Sequence, residues 1–197
     1  MELELKRGGR TARVETLGGE LVSYRDERGL EYIWGGDPAY WPGRNPLLFP
    51  IVGMLKEGKI RFDGREYAME RHGFAWRREF TPAARGEDWV RLELRESAET
   101  LALYPYPFRL AVEQRLTDTG FSTAVTVANP GEGPLPFCLG AHTGFRCPLE
   151  AGERFEDYEL VFPERESCPT LLLRDGLLDR PAALPCLEDT DTLPLDY

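Results

Sequence analysis

A chain of 197 residues with 42% hydrophobic and 29% charged residues has the make-up of a soluble globular protein, long enough to bury a sizeable core. The formal net charge is −10, and the segment from Pro148 onward holds 13 acidic residues against 4 arginines. That balance lacks the basic footprint that nucleic acid or an anionic membrane surface requires, so neither is expected as a partner. No apolar run approaches the length of a transmembrane helix, and Met1-Glu2-Leu3-Glu4-Leu5-Lys6 carries no signal-peptide core. The expected compartment is therefore the cytoplasm, and Cys138, Cys147, Cys168 and Cys186 are expected as reduced thiols.

Taken in chain order, the pattern is mostly of period two. Leu3, Leu5 and Val14 mark a first hairpin across Gly8-Gly9. Gly18-Gly19 and Gly35-Gly36 read as turns, the second ending a strand that carries Tyr32 and Trp34. Ile60-Arg61-Phe62 and Glu66-Tyr67-Ala68 flank Asp63-Gly64, a strong hairpin signal. Asp88 to Arg95 alternates as a strand with one wet face. Ser97 to Leu103 predicts a short helix with Ser97 as N-cap, stopped by Pro105 and Pro107. Phe108 to Leu116 and Phe121 to Ala128 are strands about the turn Thr117-Asp118-Thr119-Gly120. Later strands are expected over Leu135 to Leu139, Tyr158 to Phe162 and Thr170 to Leu173. With 16 prolines and 20 glycines, turns are frequent; the expected fold class is all-β, an antiparallel sandwich with few short helices, as a single domain over 1–197.

Chemistry concentrates at the only two histidines. His72 lies in Arg71-His72-Gly73-Phe74-Ala75-Trp76, and His142 in Leu139-Gly140-Ala141-His142-Thr143-Gly144-Phe145. Each imidazole is followed by Gly or Thr-Gly and then an aromatic. Glycine lets a ligand approach the backbone, an aromatic offers a flat face to a sugar ring, and imidazole suits proton transfer near neutral pH. Against this stands the plain alternative of two unrelated structural histidines. Among Trp34, Tyr40, Trp41, Phe74 and Trp76, about one is expected to meet a ligand, since strand aromatics are more often core. Cys138, His142 and Cys147 lie near one another but lack the tight pair that zinc requires, so no metal and no cofactor is expected.

Leu48-Phe49-Pro50-Ile51-Val52-Gly53, then His72-Gly73-Phe74-Ala75, then Pro136-Phe137-Cys138-Leu139-Gly140-Ala141-His142, in this order and spacing, resemble the aldose 1-epimerase (galactose mutarotase-like) superfamily. The likeness runs from about Gly18 to the C-terminus. It implies a β-supersandwich whose concave face binds a hexose, and an isomerase that exchanges α and β anomers in carbohydrate metabolism. In that reaction a carboxylate takes the anomeric hydroxyl proton while a histidine protonates the ring oxygen. By position His142 matches the general acid, His72 the histidine that orients the sugar, and Asn45 a polar residue at the rim of the cleft.

Two departures accompany the resemblance. Where the family commonly has an arginine after the Phe-Pro segment, Met54 stands here, and Lys56 is a point charge, not a bidentate fork. The family's last strands, with a sugar-binding aspartate and the catalytic glutamate, have no counterpart before Tyr197. The chain thus reads as C-terminally short relative to the family, with unpaired strand edges that favour a homodimer or a complex with the missing part. The alternatives are a non-catalytic carbohydrate-binding protein on the same fold, or an interaction domain that keeps only the fold.

Overall fold

The computed structural model describes residues 1–196. The strands are β1 (Glu2–Arg7), β2 (Arg10–Glu15), β3 (Leu21–Arg25), β4 (Leu47–Leu48), β5 (Lys59–Phe62), β6 (Arg65–Ala68), β7 (Thr81–Arg85) and β8 (Trp89–Arg95), followed by the helix α1 (Ala98–Leu103). Then come β9 (Arg109–Leu116), β10 (Phe121–Ala128), β11 (Gly140–Ala141), β12 (Glu159–Arg174) and β13 (Leu177–Pro194). Every strand pair is antiparallel. The chain divides into two compact units, Met1–Arg146 and Cys147–Tyr197. Among the described residues, no helix is long and apolar enough to cross a membrane.

In the first unit, a three-stranded sheet β1-β2-β3 and a four-stranded sheet β10-β9-β8-β7 enclose most of the core. The alternation seen in the sequence sets which side chains go in. Leu3 and Leu5 on β1, Ala12 and Val14 on β2, and Val90, Leu92 and Leu94 on β8 are buried while their neighbours are not. Register carries this face across: Leu94 is opposite Leu110, Leu92 opposite Val112, and Val90 opposite Gln114. β1 and β2 both touch β9, so the sheets meet through these residues. Gln114, a polar residue in this apolar layer, is fully satisfied. Its amide donates to the Gly19 carbonyl (2.9 Å) and its Oε1 accepts from Thr123 (2.6 Å).

A second packing centre is aromatic. Phe49, Phe62, Phe74, Tyr104 and Phe108 are all buried, with Phe49 5.2 Å from Phe108 and Phe62 5.6 Å from Tyr104, ring centroid to centroid. Helix α1 delivers Tyr104. It starts at a capping box in which the Thr100 N–H donates to Ser97 Oγ (3.3 Å) and the Ser97 N–H to Thr100 Oγ1 (2.8 Å). The Tyr104 hydroxyl donates to the Pro136 carbonyl (2.7 Å), and burial pushes its pKa well above the usual tyrosine value.

The sequence misses particular elements. Leu135–Leu139 forms no strand; Pro134 and Pro136 remove ladder donors, and the segment is held by single bonds such as Cys138 N–H to the Pro50 carbonyl (2.8 Å). Tyr32 to Trp34 is likewise only bridged, through Glu31 to Arg25 and Ile33 to Phe145. The second unit is a two-stranded ribbon. The two expected strands at Tyr158–Phe162 and Thr170–Leu173 belong largely to one strand, β12, paired with β13 through several register shifts. Prolines within both strands obscure the alternation that would have announced the ribbon.

Candidate functional site

The two histidines reach the same cleft of the first unit from different elements. His72 sits on the loop between β6 and β7, with a left-handed backbone (φ 66°), followed by Gly73 (φ 72°). That pair of left-handed residues folds the chain sharply onto Phe49: the Phe74 and Ala75 N–H groups both donate to the Phe49 carbonyl (2.9 and 3.2 Å). A Cβ at Gly73 would collide with the same carbonyl, so glycine is required there. The loop then docks on Gly53. The His72 N–H donates to the Gly53 carbonyl (2.8 Å), and the Gly53 N–H donates to His72 Nδ1 (3.1 Å).

This last bond fixes the imidazole. An Nδ1 that accepts an N–H carries no proton, so the neutral ring holds its hydrogen on Nε2. Burial pushes the His72 pKa below its ordinary value, and the neighbouring charges of His142 and Arg71 push it the same way. His72 is thus a neutral donor, with Nε2–H free of protein partners among the described residues.

His142 follows β11, which pairs with β4 so that Gly140 lies opposite Leu48 and Ala141 opposite Leu47. Its N–H donates to the Pro46 carbonyl (3.1 Å). The imidazole is exposed, lies edge-on to Trp41 with ring centroids 4.8 Å apart, and is 6.2 Å from the His72 ring. Gly144 lets this arrangement close, since a Cβ there would come within 2.8 Å of the Trp41 ring. Two adjoining depressions of about 470 Å³ each share His72, His142, Trp41, Trp76 and Arg77. Together they form one cleft with both imidazoles in its wall.

Of the five aromatics singled out from the sequence, Trp41 and Trp76 line the cleft, Phe74 is core, Tyr40 is exposed, and Trp34 braces the turn by donating from Nε1 to the Trp41 carbonyl (2.8 Å). Asn45 lines neither depression of the cleft, although Arg44 and Pro46 on either side of it do. It is 8% exposed and faces a separate cavity of about 310 Å³ with Tyr24, Tyr32 and Phe145. The reason is local: its Oδ1 accepts from Thr143 Oγ1 (2.6 Å), and Thr143, the residue after His142, lines that second cavity and not the cleft.

Sequence reasoning missed the charged lining. Glu20 Oε1 accepts from the Arg44 and Asn45 N–H groups (2.8 and 2.5 Å) and so holds the turn before β4. Arg77 lies 4.1 Å over the Trp76 ring and pairs with Glu70 (2.7 Å). Arg71 lines the cleft beside His72. Adjacency to a histidine was the only signal for Arg71 and Glu70, and nothing local marks Glu20, which comes to the cleft through tertiary structure.

An aldose 1-epimerase family model matches residues 1–176. The chain belongs to the aldose 1-epimerase family. The LacX proteins of Lactococcus lactis subsp. lactis, plasmid and chromosomal, are each 40% identical over 205 residues, covering 100% of this chain and 69% of each of those proteins. Among solved structures, a galactose mutarotase related enzyme from Lactobacillus acidophilus superposes with a TM-score of 0.91 at 26% identity, covering 100% of this chain and 65% of that one. A galactose mutarotase-like protein from Lactobacillus casei gives 0.84 at 30% identity, covering 99% and 67%. The aldose 1-epimerase family chain therefore has the galactose mutarotase-like fold, and it spans about two thirds of the length of these relatives.

Proposed function

We propose that this chain binds an aldose in the His72–His142 cleft and interconverts its anomers. The observation that carries the reading is the meeting of the chain's only two histidines, 6.2 Å apart, beside two tryptophans in a member of the aldose 1-epimerase family. His142, whose exposed imidazole has no hydrogen-bonded partner among the described residues, is the general acid that protonates the ring oxygen. The ring opens, the aldehyde carbon rotates, and closure returns either anomer with the proton given back. His72, neutral and locked by Gly53, donates from Nε2–H to a sugar hydroxyl. Trp41 and Trp76 offer apolar faces to the sugar's C–H bonds.

The anomeric hydroxyl must also lose its proton. Three carboxylates line the cleft, Glu15, Glu20 and Glu70, and Glu15, whose side chain has no hydrogen bond or ion pair among the described residues, is the one left to take that proton. Glu20 is held by two backbone N–H groups and Glu70 by Arg77. That engagement favours a second reading, a cleft that binds sugar with little turnover. Saturation-transfer NMR on a panel of aldoses, paired with isothermal titration, separates the two. Exchange between α and β signals faster than in buffer supports the epimerase; binding without exchange supports the second reading; neither result overturns both.

A further inference from the structure

We infer that Arg71 is a specificity-determining residue that recognises an anionic group on the substrate, so that the preferred ligand is an aldose bearing a phosphate or carboxylate. The inference rests on the proposed sugar-binding role of the cleft and adds the substrate's charge. The cleft is a local exception in a chain of net charge −10. Three arginines, Arg44, Arg71 and Arg77, balance its three carboxylates, and of the two depressions that share both imidazoles the one that holds Arg71 is lined by Arg71, Arg77 and a single carboxylate, Glu70. Glu70 is committed to Arg77 at 2.7 Å, and that guanidinium is stacked on Trp76. Arg71 has no carboxylate partner among the described residues. Its one hydrogen-bond contact is a weak one, from Nη2 to Met54 Sδ at 3.8 Å.

A guanidinium is a planar fork of donors that matches two oxygens of a phosphate or carboxylate. One that faces a cleft, set against a thioether instead of a carboxylate, keeps those donors for a ligand. Its position next to His72 ties the anion to the sugar: the Arg71 charge is felt by the His72 ring, which is the donor proposed for a hydroxyl. A bound oxyanion would offset that charge. In a protein whose surface repels anions at long range, an unneutralised cation beside the imidazoles selects for anionic ligands at short range.

The test has a binding arm and a turnover arm. Inorganic phosphate is titrated into the whole protein while the His72 imidazole is followed by NMR. Wild type is expected to show a saturable shift that Arg71→Ala lowers at least 10-fold in affinity and that Arg13→Ala, an exposed charge removal on β2, leaves in place. In the turnover arm, anomer exchange is compared for a free aldohexose, its phosphate ester and the corresponding uronate. The kcat/KM ratio of anionic to neutral sugar is expected to fall at least 10-fold in Arg71→Ala, and the better of the two anions names the group. No saturable phosphate shift, or an equal loss with Arg13→Ala, overturns the inference. A phosphate shift that depends on Arg71 with no exchange on any sugar keeps the anion site and removes the epimerase reading instead.

Discussion

At the scale of single residues, His72 carries the clearest prediction. Burial, then the charges of His142 and Arg71, lower its pKa, so its imidazole should titrate below the ordinary value of about 6.5, and Arg71→Ala should raise it toward that value. An NMR pH titration checks both. The unfolded chain binds the proton first as pH falls, so His72's contribution to stability is complete above the unfolded pKa and is lost as pH drops through the lower folded one. Substrate affinity should fall in the same window, because a proton on Nδ1 displaces the Gly53 hydrogen bond. His142→Ala should slow anomer exchange by about 10²–10⁴-fold, the usual range for a general acid, while His72→Ala should act chiefly by raising KM. The histidines were legible in the sequence because their glycine and aromatic neighbours repeat. The role of Arg71 was not, because its guanidinium meets Met54 only through the fold, across 17 residues of sequence.

At the scale of elements, the hairpins and α1 were readable because their signals are local: Asp63-Gly64 at the β5–β6 turn, Thr117 to Gly120 at the β9–β10 turn, and the Ser97–Thr100 cap. The short pairing of β4 with β11 was not, since two residues on each side carry no period, yet it sets His142 in place. Thr143→Val removes the hydroxyl that ties this segment to Asn45, a loss of about 0.5–1.5 kcal/mol. The expected outcome is a folded protein with a several-fold slower exchange rate, checked by pairing a melting curve with kinetics. Gly73→Ala tests the opposite loop. A left-handed residue pressed against the Phe49 carbonyl should lose more than about 1 kcal/mol in chemical denaturation, beyond the ordinary penalty for a methyl at positive φ.

At the scale of the whole molecule, the site depends on the aromatic core behind it. Phe49 touches Phe74, Tyr104 and Phe108, and its carbonyl anchors the His72 loop. Phe49→Ala should therefore cost about 3–5 kcal/mol, measured by denaturant unfolding, and should weaken sugar binding along with stability. The all-β class was legible from alternation and turn density, while the ribbon β12–β13 was hidden by its prolines. The central claim is that one cleft holds both histidines against a sugar. With only two histidines in the chain, the imidazole NMR spectrum reports on that cleft alone. Titration of the protein with the aldose or aldose ester that binds best is expected to shift both imidazoles along a single saturation curve. Shifts confined to one imidazole, or two curves with different midpoints, would contradict a shared site.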